Sequence, residues 1–115
     1  YIILIQLPRV TKIENQAFKK CYQLQEVIGN RISIIEKEAF CLCSSLNSIN
    51  LQNAVEIGQE AFFCCYSINN LNLQSVQSCA SHAFEDCPQL RRAKCSTQIA
   101  QMLSISLCQS VHPFG

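Results

Sequence analysis

Residues 57–73 read IGQEAFFCCYSINNLNL, and this stretch decides the fold because three other segments repeat its pattern. An Ala-Phe pair recurs at a constant step, at Ala17, Ala39, Ala61 and Ala83. The same step separates four cysteines and four aliphatic residues, namely Cys21, Cys43, Cys65 and Cys87, and Leu24, Leu46, Ile68 and Leu90. A fixed period of about 22 residues is typical of a solenoid, in which stacked repeats share one core.

Each repeat divides into a strand, a polar turn and a second apolar segment. The pattern L-x-x-I-x-L, as at residues 46–51, alternates and predicts a short β-strand. The spacing from Phe62 to Cys65 to Ile68 is three residues each time. That spacing predicts one or two turns of helix or 3₁₀-helix packed on the back of the sheet. The phenylalanines of the Ala-Phe pairs are expected to stack as the spine of the core.

The pattern changes after Cys95. Ser96 and Thr97 precede apolar residues with helical spacing, which are Ile99, Met102, Leu103 and Leu107. The spacing predicts an amphipathic helix with a hydroxyl N-cap, which would cover the last coil. We therefore expect a repeat array over residues 1–95 and a cap over residues 96–115. The alternative is a degenerate fifth loop without a regular helix.

Composition excludes some classes of function. The 115 residues are 49% hydrophobic and 15% charged, with a net charge of +1, which suits one domain or part of one. No apolar run reaches the ~18 residues of a membrane span, so no membrane-spanning segment is predicted. The basic cluster of Arg91, Arg92 and Lys94 has no interleaved aromatic residues, which disfavours nucleic acid as a partner. The opening residues already match mid-repeat positions, so the array is expected to continue upstream of Tyr1, or the chain to be processed.

The nine cysteines are too regular for an ordinary disulfide framework. Six occupy inferred core positions of the repeat: Cys21, Cys43, Cys65, Cys79, Cys87 and Cys95. We expect most of the thiols to be reduced and buried, as small apolar side chains. The geometry also allows disulfides between adjacent coils, so both an oxidising and a reducing compartment are compatible with the sequence.

The repeated motif I-x-x-x-A-F-x-x-C-x-x-L-x-x-I-x-L resembles the leucine-rich repeats of the BspA surface-antigen type, over residues 1–95. The Leu-Pro that usually follows the strand occurs only at Leu7-Pro8, and the Ile-Gly before the Phe segment only at Ile57-Gly58. The expected fold is a leucine-rich repeat solenoid with a parallel β-sheet on the concave side, short helical or 3₁₀ segments on the convex side, and a C-terminal helical cap.

The resemblance also implies a function. It implies a protein-binding or adhesion module of a surface or secreted protein, whose partner is a host, matrix or other cell-surface protein. The alternative is a cytoplasmic leucine-rich repeat scaffold with reduced core cysteines. No cofactor is implied, and the family motif supplies no binding residue because its residues are structural.

Catalysis and metal binding are disfavoured. His82 lies near Cys87 in sequence, but Cys87 belongs to the structural repeat position and no third catalytic group is apparent. A zinc site would need Cys41 and Cys64 to converge with Cys43 and Cys65, although the first two are expected to point away from the core. We predict neither an enzyme nor a metal protein.

Two surfaces are candidates for partner binding. The residues that alternate with the core positions of the strands should point outward from the concave face. These are Glu26, Ile28, Ser48, Asn50, Gln52, Asn70, Asn72, Gln74, Arg92 and Lys94. Asn50 and Asn72 either bond to each other as a ladder or present their amides to a ligand. A second, convex patch is formed by the apolar residues between Phe and Cys in the two middle repeats, Cys41, Leu42, Phe63 and Cys64.

Overall fold

The computed structural model of the chain describes residues 3–80, 82–107 and 111–113, and in the helix the side chains only as far as Ser104. The described residues form ten short strands and one helix. In chain order they are β1 (Ile3–Gln6), β2 (Lys12–Ile13), β3 (Leu24–Ile28), β4 (Ile34–Ile35), β5 (Ser48–Ile49), β6 (Glu56–Ile57), β7 (Asn70–Asn72), β8 (Ser78–Cys79), β9 (Arg92–Lys94), α1 (Thr97–Leu107) and β10 (His112–Pro113).

The strands predicted from L-x-x-I-x-L lie on one face of the molecule together with β10, which was not predicted, and we call this face the front sheet (β1, β3, β5, β7, β9 and β10). All its ladders are parallel, and between β3 and β5 and between β7 and β9 the repeat step sets the register, as in Glu26 opposite Ser48 and Leu71 opposite Ala93. It consists of two three-stranded parts, β1-β3-β5 and β7-β9-β10. The part of the chain that the structure describes has no ladder between β5 and β7.

A second parallel sheet, in the order β2-β4-β6-β8, was not predicted. Each of its strands is two residues long, and in each the second residue is buried. These buried residues are Ile13, Ile35, Ile57 and Cys79, which share one repeat position. The two sheets together confirm the predicted solenoid of about five turns.

The segments that follow the second sheet are turns, so the prediction of helical or 3₁₀ segments there is wrong for the described residues. In the first coil, local bonds join residues three apart, as from the N–H of Ala17 to the Glu14 carbonyl at 3.1 Å. Other N–H groups reach the next coil, as from Phe18 to the Ala39 carbonyl at 2.8 Å. The segment also contains left-handed residues, since Gln16 and Lys20 have φ values of 58° and 64°. The segment is therefore a run of tight turns stacked coil on coil.

The expected phenylalanine spine is present. Phe18, Phe40, Phe62 and Phe84 stack face to face, with centroid separations of 5.3, 5.3 and 5.0 Å. The last three rings are fully buried, whereas Phe18, in the first coil, is only partly buried. One continuous core therefore runs along the axis of the solenoid.

Helix α1 closes the C-terminal end, as predicted. The hydroxyl of Ser96 accepts the N–H of Ile99 at 3.2 Å, which is the expected N-cap. Ile99 and Leu103 are buried against the core. Strand β10 then pairs with β9, and its Pro113 has no N–H, a feature that blunts a sheet edge. The division into an array over 1–95 and a cap over 96–115 stays a prediction.

The one helix of the described segments has 11 residues, which is too short to cross a membrane.

Candidate functional site

The ten predicted front-sheet residues all lie at the surface. Ile28, Ser48, Asn50, Asn70, Gln74 and Arg92 are exposed, and Glu26, Gln52, Asn72 and Lys94 are half-buried. The ladders place Glu26 beside Ser48, Asn70 beside Arg92, and Asn72 beside Lys94. The predicted rows are thus correct wherever strands pair. They are interrupted between β5 and β7.

The two asparagines make local hydrogen bonds. The Oδ1 atom of Asn50 accepts the N–H of Gln52 at 3.0 Å, and that of Asn72 accepts the N–H of Gln74 at 3.1 Å. Each side chain therefore closes the turn that follows its own strand. The alternative of an Asn50–Asn72 ladder is wrong, since no bond joins these two described residues. Their Nδ2 groups remain available as outward donors.

The front sheet changes in character along the axis. Leu4 and Ile28, near its first strand, are large apolar side chains exposed by 42% and 41%. Beside them lies a shallow cavity of about 410 Å³, lined in part by Gln6, Ser48 and Asn50. Arg92 and Lys94 lie at the other end. A partner would therefore meet apolar, then amide, then basic groups.

The predicted convex patch is smaller than expected. Cys41 and Cys64 were expected to point outward, but both are buried, with 3% and 6% exposure. Neither belongs to the main core. The Sγ atom of Cys64 instead contacts Asp86 Oδ2 of the next coil at 3.9 Å, so neighbouring coils cover these thiols. Leu42 and Phe63 remain half-buried, and the patch is reduced to these two.

Paired charges flank that patch. Lys19 Nζ lies 2.7 Å from Glu38 Oε2, and the Gln16 amide donates to Glu38 Oε1 at 3.0 Å. The hydrogen bond from Lys19 lowers the pKa of Glu38, and the same bond raises the pKa of Lys19. These interactions satisfy both charges within the chain.

Cys87 and His82, the pair considered for catalysis, have different environments and different partners. Cys87 is fully buried and donates to the Phe62 carbonyl at 3.1 Å. Burial raises its pKa to about 12, so the thiol is protonated at neutral pH. His82 is exposed, and its Nδ1 atom lies 3.3 Å from Glu85 Oε2. The geometry provides no activated nucleophile at this pair.

The four cysteines considered for zinc also differ in position, because two lie in the main core and two lie outside it. Cys43 and Cys65 donate to the carbonyls of Phe18 and Phe40 inside the core, at 3.1 and 3.2 Å. Cys41 and Cys64 lie outside that core. Within residues 3–80, 82–107 and 111–113, no group of three or more His, Cys, Asp or Glu side chains is arranged to hold a metal ion.

The sequence pattern did not place His112 on the front sheet. It lies on β10 opposite Arg92, and is exposed on the same side. The repeat step taken from Arg92 leads to position 114 rather than 112, so the period did not reach this histidine. A single polar residue within the expected cap carries no other sequence signal.

Stacked coils with a parallel sheet on one face and an exposed, regular row of side chains define a leucine-rich repeat solenoid. Residues 4–111 match the BspA type leucine rich repeat region, in six copies. The chain therefore belongs to the family of BspA-type leucine-rich repeat proteins.

Two solved structures are similar. A leucine-rich repeat protein of T. pallidum is 26% identical, with a TM-score of 0.57, over 80% of this chain and 58% of that one. A leucine-rich cell surface protein of Faecalibacterium prausnitzii is 19% identical, with a TM-score of 0.48, over 80% of this chain and 38% of that one. The chain thus spans little more than half of the T. pallidum protein. No curated protein matches the chain significantly.

Proposed function

We propose that the chain is a noncatalytic protein-binding module that acts in adhesion, at the cell surface or in a secreted protein. Membership of the BspA-type family supports this function, because the resemblance implies adhesion and binding of matrix or cell-surface proteins. The proposed partner is a host, matrix or other cell-surface protein.

We propose the front sheet as the binding surface. The observation that carries this proposal is the exposed, register-matched set of amide, apolar and basic side chains along its strands. On the opposite side, Lys19 and Glu38 satisfy each other and the thiols of Cys41 and Cys64 are buried. A surface with unused donors and exposed apolar side chains gains more from a partner than one whose groups are already paired.

A capture experiment tests this proposal. The chain is immobilised and exposed to matrix proteins, and bound proteins are identified by mass spectrometry. A front variant carries Ile28→Ala, Asn50→Ala and Asn72→Ala, and a matched control on the turn segments carries Glu14→Ala, Asn15→Ala and Lys37→Ala. We expect capture to fall at least tenfold for the front variant only.

The remaining convex patch supplies the competing outcome. Leu42→Ser with Phe63→Ser removes its two half-buried apolar side chains. If this variant loses capture while the front variant retains it, the binding surface is the convex patch. Labelling of intact source cells with a membrane-impermeant biotin reagent tests the proposed location, since a cytoplasmic scaffold would stay unlabelled.

A further inference from the structure

Four basic side chains gather at the last strands of the front sheet, and we call Arg91, Arg92, Lys94 and His112 the basic end. Arg92 and Lys94 alternate with buried Ala93 on β9, so both project outward. His112 lies opposite Arg92 in the parallel ladder and therefore projects from the same face. Lys94 is half-buried, and the other three are exposed.

No acidic side chain among the described residues neutralises the basic end. Residues 87–115 contain none of the eight acidic residues of the chain. Glu26 is the only acidic residue on the described strands of the front sheet, and it lies three coils from Arg92, roughly 15 Å away. The ion pairs of the described residues are Lys12–Glu36, Lys19–Glu38 and His82–Glu85, none of which involves the basic end. Its charge is therefore free to act on a partner.

The neighbouring strand β7 adds further hydrogen-bond donors to those of Arg92 and Lys94. Asn72 lies beside Lys94 and Asn70 beside Arg92. Because the Asn72 oxygen already accepts the N–H of Gln74 at 3.1 Å, its amino group is left to donate outward. Arginine and lysine are donors without acceptors. This part of the sheet thus offers mainly donors, which match carboxylates and backbone carbonyls.

The other residues of the front sheet fit a protein better than a nucleic acid or an anionic sugar. Nucleic acids are held by long basic tracks and by aromatic residues that stack on bases. The described strands of the front sheet carry no Phe, Tyr or Trp, and the two exposed tyrosines, Tyr22 and Tyr66, lie outside them. The exposed apolar side chains of Leu4 and Ile28, at the far end of the same face, suit protein side chains rather than sugars.

We infer that the front sheet binds an extended acidic protein segment, whose carboxylates are held by Arg92 and Lys94 and whose carbonyl oxygens accept hydrogen bonds from the Asn72 and Asn50 amides. This inference rests on the proposed binding function and names the chemistry of its partner. Arg91 adds to the positive field around the two main contacts, and His112 adds a polar side chain on the same face as Arg92.

The test measures binding of a labelled peptide of five Asp-Ser repeats by fluorescence anisotropy, with five Asn-Ser repeats as the uncharged analogue. The charge variant is Arg92→Gln with Lys94→Gln. Its matched control, Lys20→Gln with Lys37→Gln, makes the same change in net charge on the turn segments. We expect the charge variant to weaken binding of the acidic peptide about tenfold or more, and the control less than twofold. Raising salt from about 50 to about 300 mM should weaken binding by the wild-type chain.

Three results would overturn the inference: no binding of the acidic peptide, equal losses in both double variants, or stronger binding of heparin or oligo-dT at the same residues. The charge variant also enters the capture experiment. If it retains full capture of a partner that the Ile28, Asn50 and Asn72 variant loses, the binding function stands and the acidic-segment inference fails. If neither variant loses capture, the front sheet is not the binding surface.

Discussion

The cysteines at the third position after Phe40, Phe62 and Phe84 act as hydrogen-bond donors as well as apolar filling. Cys43, Cys65 and Cys87 donate to the carbonyls of Phe18, Phe40 and Phe62, at 3.1, 3.2 and 3.1 Å, each from one coil to the previous one. The backbone N–H of Cys43 also donates to Phe40 within its own coil. A thiol suits this position because it is small and weakly polar and can donate one bond.

Burial of the core thiols predicts a loss of stability at high pH. It raises the pKa of Cys43, Cys79 and Cys87 to about 12, above the ordinary thiol value of 9.0. The unfolded chain therefore releases these protons first, so their contribution is complete below pH 9 and is lost as pH rises through the folded pKa. We expect the urea midpoint, measured with reductant present, to fall steadily between pH 9 and pH 12.

A single variant isolates one thiol. Cys87→Ala should flatten the pH dependence between pH 9 and pH 12 by up to about 1.4 kcal/mol per pH unit, the value for one proton. Ile68→Val, a buried change without a titrating group, should lower stability and leave the slope as in the wild type. An unchanged slope for Cys87→Ala would contradict the assigned burial effect.

At the scale of the element, the turn segments depend on residues in the left-handed region that are not glycine. Seven such residues in the described part of the chain have φ between 56° and 64°: Gln16, Lys20, Glu38, Leu42, Glu60, Cys64 and Asp86. They form two columns, in each of which neighbours are separated by the repeat step. Side chains other than glycine pay roughly 1–2 kcal/mol in this region, which the bonds between coils must offset.

Glycine at one of these positions should therefore stabilise the fold. Lys20 is exposed, and its φ is 64°. We expect Lys20→Gly to raise the free energy of unfolding by about 0.5–1 kcal/mol, after the entropy cost of glycine is subtracted. Lys37→Gly, at an exposed turn position without positive φ, should lower it by a similar amount. Urea denaturation of both variants checks this, and loss of stability in Lys20→Gly would contradict it.

The same turns show where prediction from the sequence stops. Register on the front sheet could be predicted because a constant repeat step fixes which side chains align, as for Asn72 and Lys94. The tight turns could not be predicted, because the three-residue spacing from Phe62 to Ile68 fits a helix equally well. Left-handed Gln16 and Leu42 give no signal in residue type, since turns of this kind usually use glycine or asparagine. The alternation of buried and outward residues along the strands predicted which side chains lie on the front sheet. It did not predict His112, because this residue does not follow the repeat step.

At the scale of the whole molecule, the two ends of the solenoid differ. Helix α1 and β10 cover the last coil, whereas the outer edge of β1 is unpaired in the described residues and Phe18 is only partly buried. In a stacked repeat protein each coil contacts only its neighbours, so stability is close to a sum of coil and interface contributions. Damage at one end should then weaken that end first.

Leu103→Ala tests this at the capped end. Leu103 is 1% exposed and packs against the core, so its truncation should cost about 2–5 kcal/mol, whereas Gln101→Ala on the exposed side of α1 should stay within about 0.5 kcal/mol. Native-state hydrogen exchange shows where the loss falls. We expect the amide of Leu90, in the last coil, to lose protection well before that of Glu36, two coils earlier, which bonds to the Ile13 carbonyl at 2.9 Å. Equal loss at both amides would mean that the coils unfold as one cooperative unit.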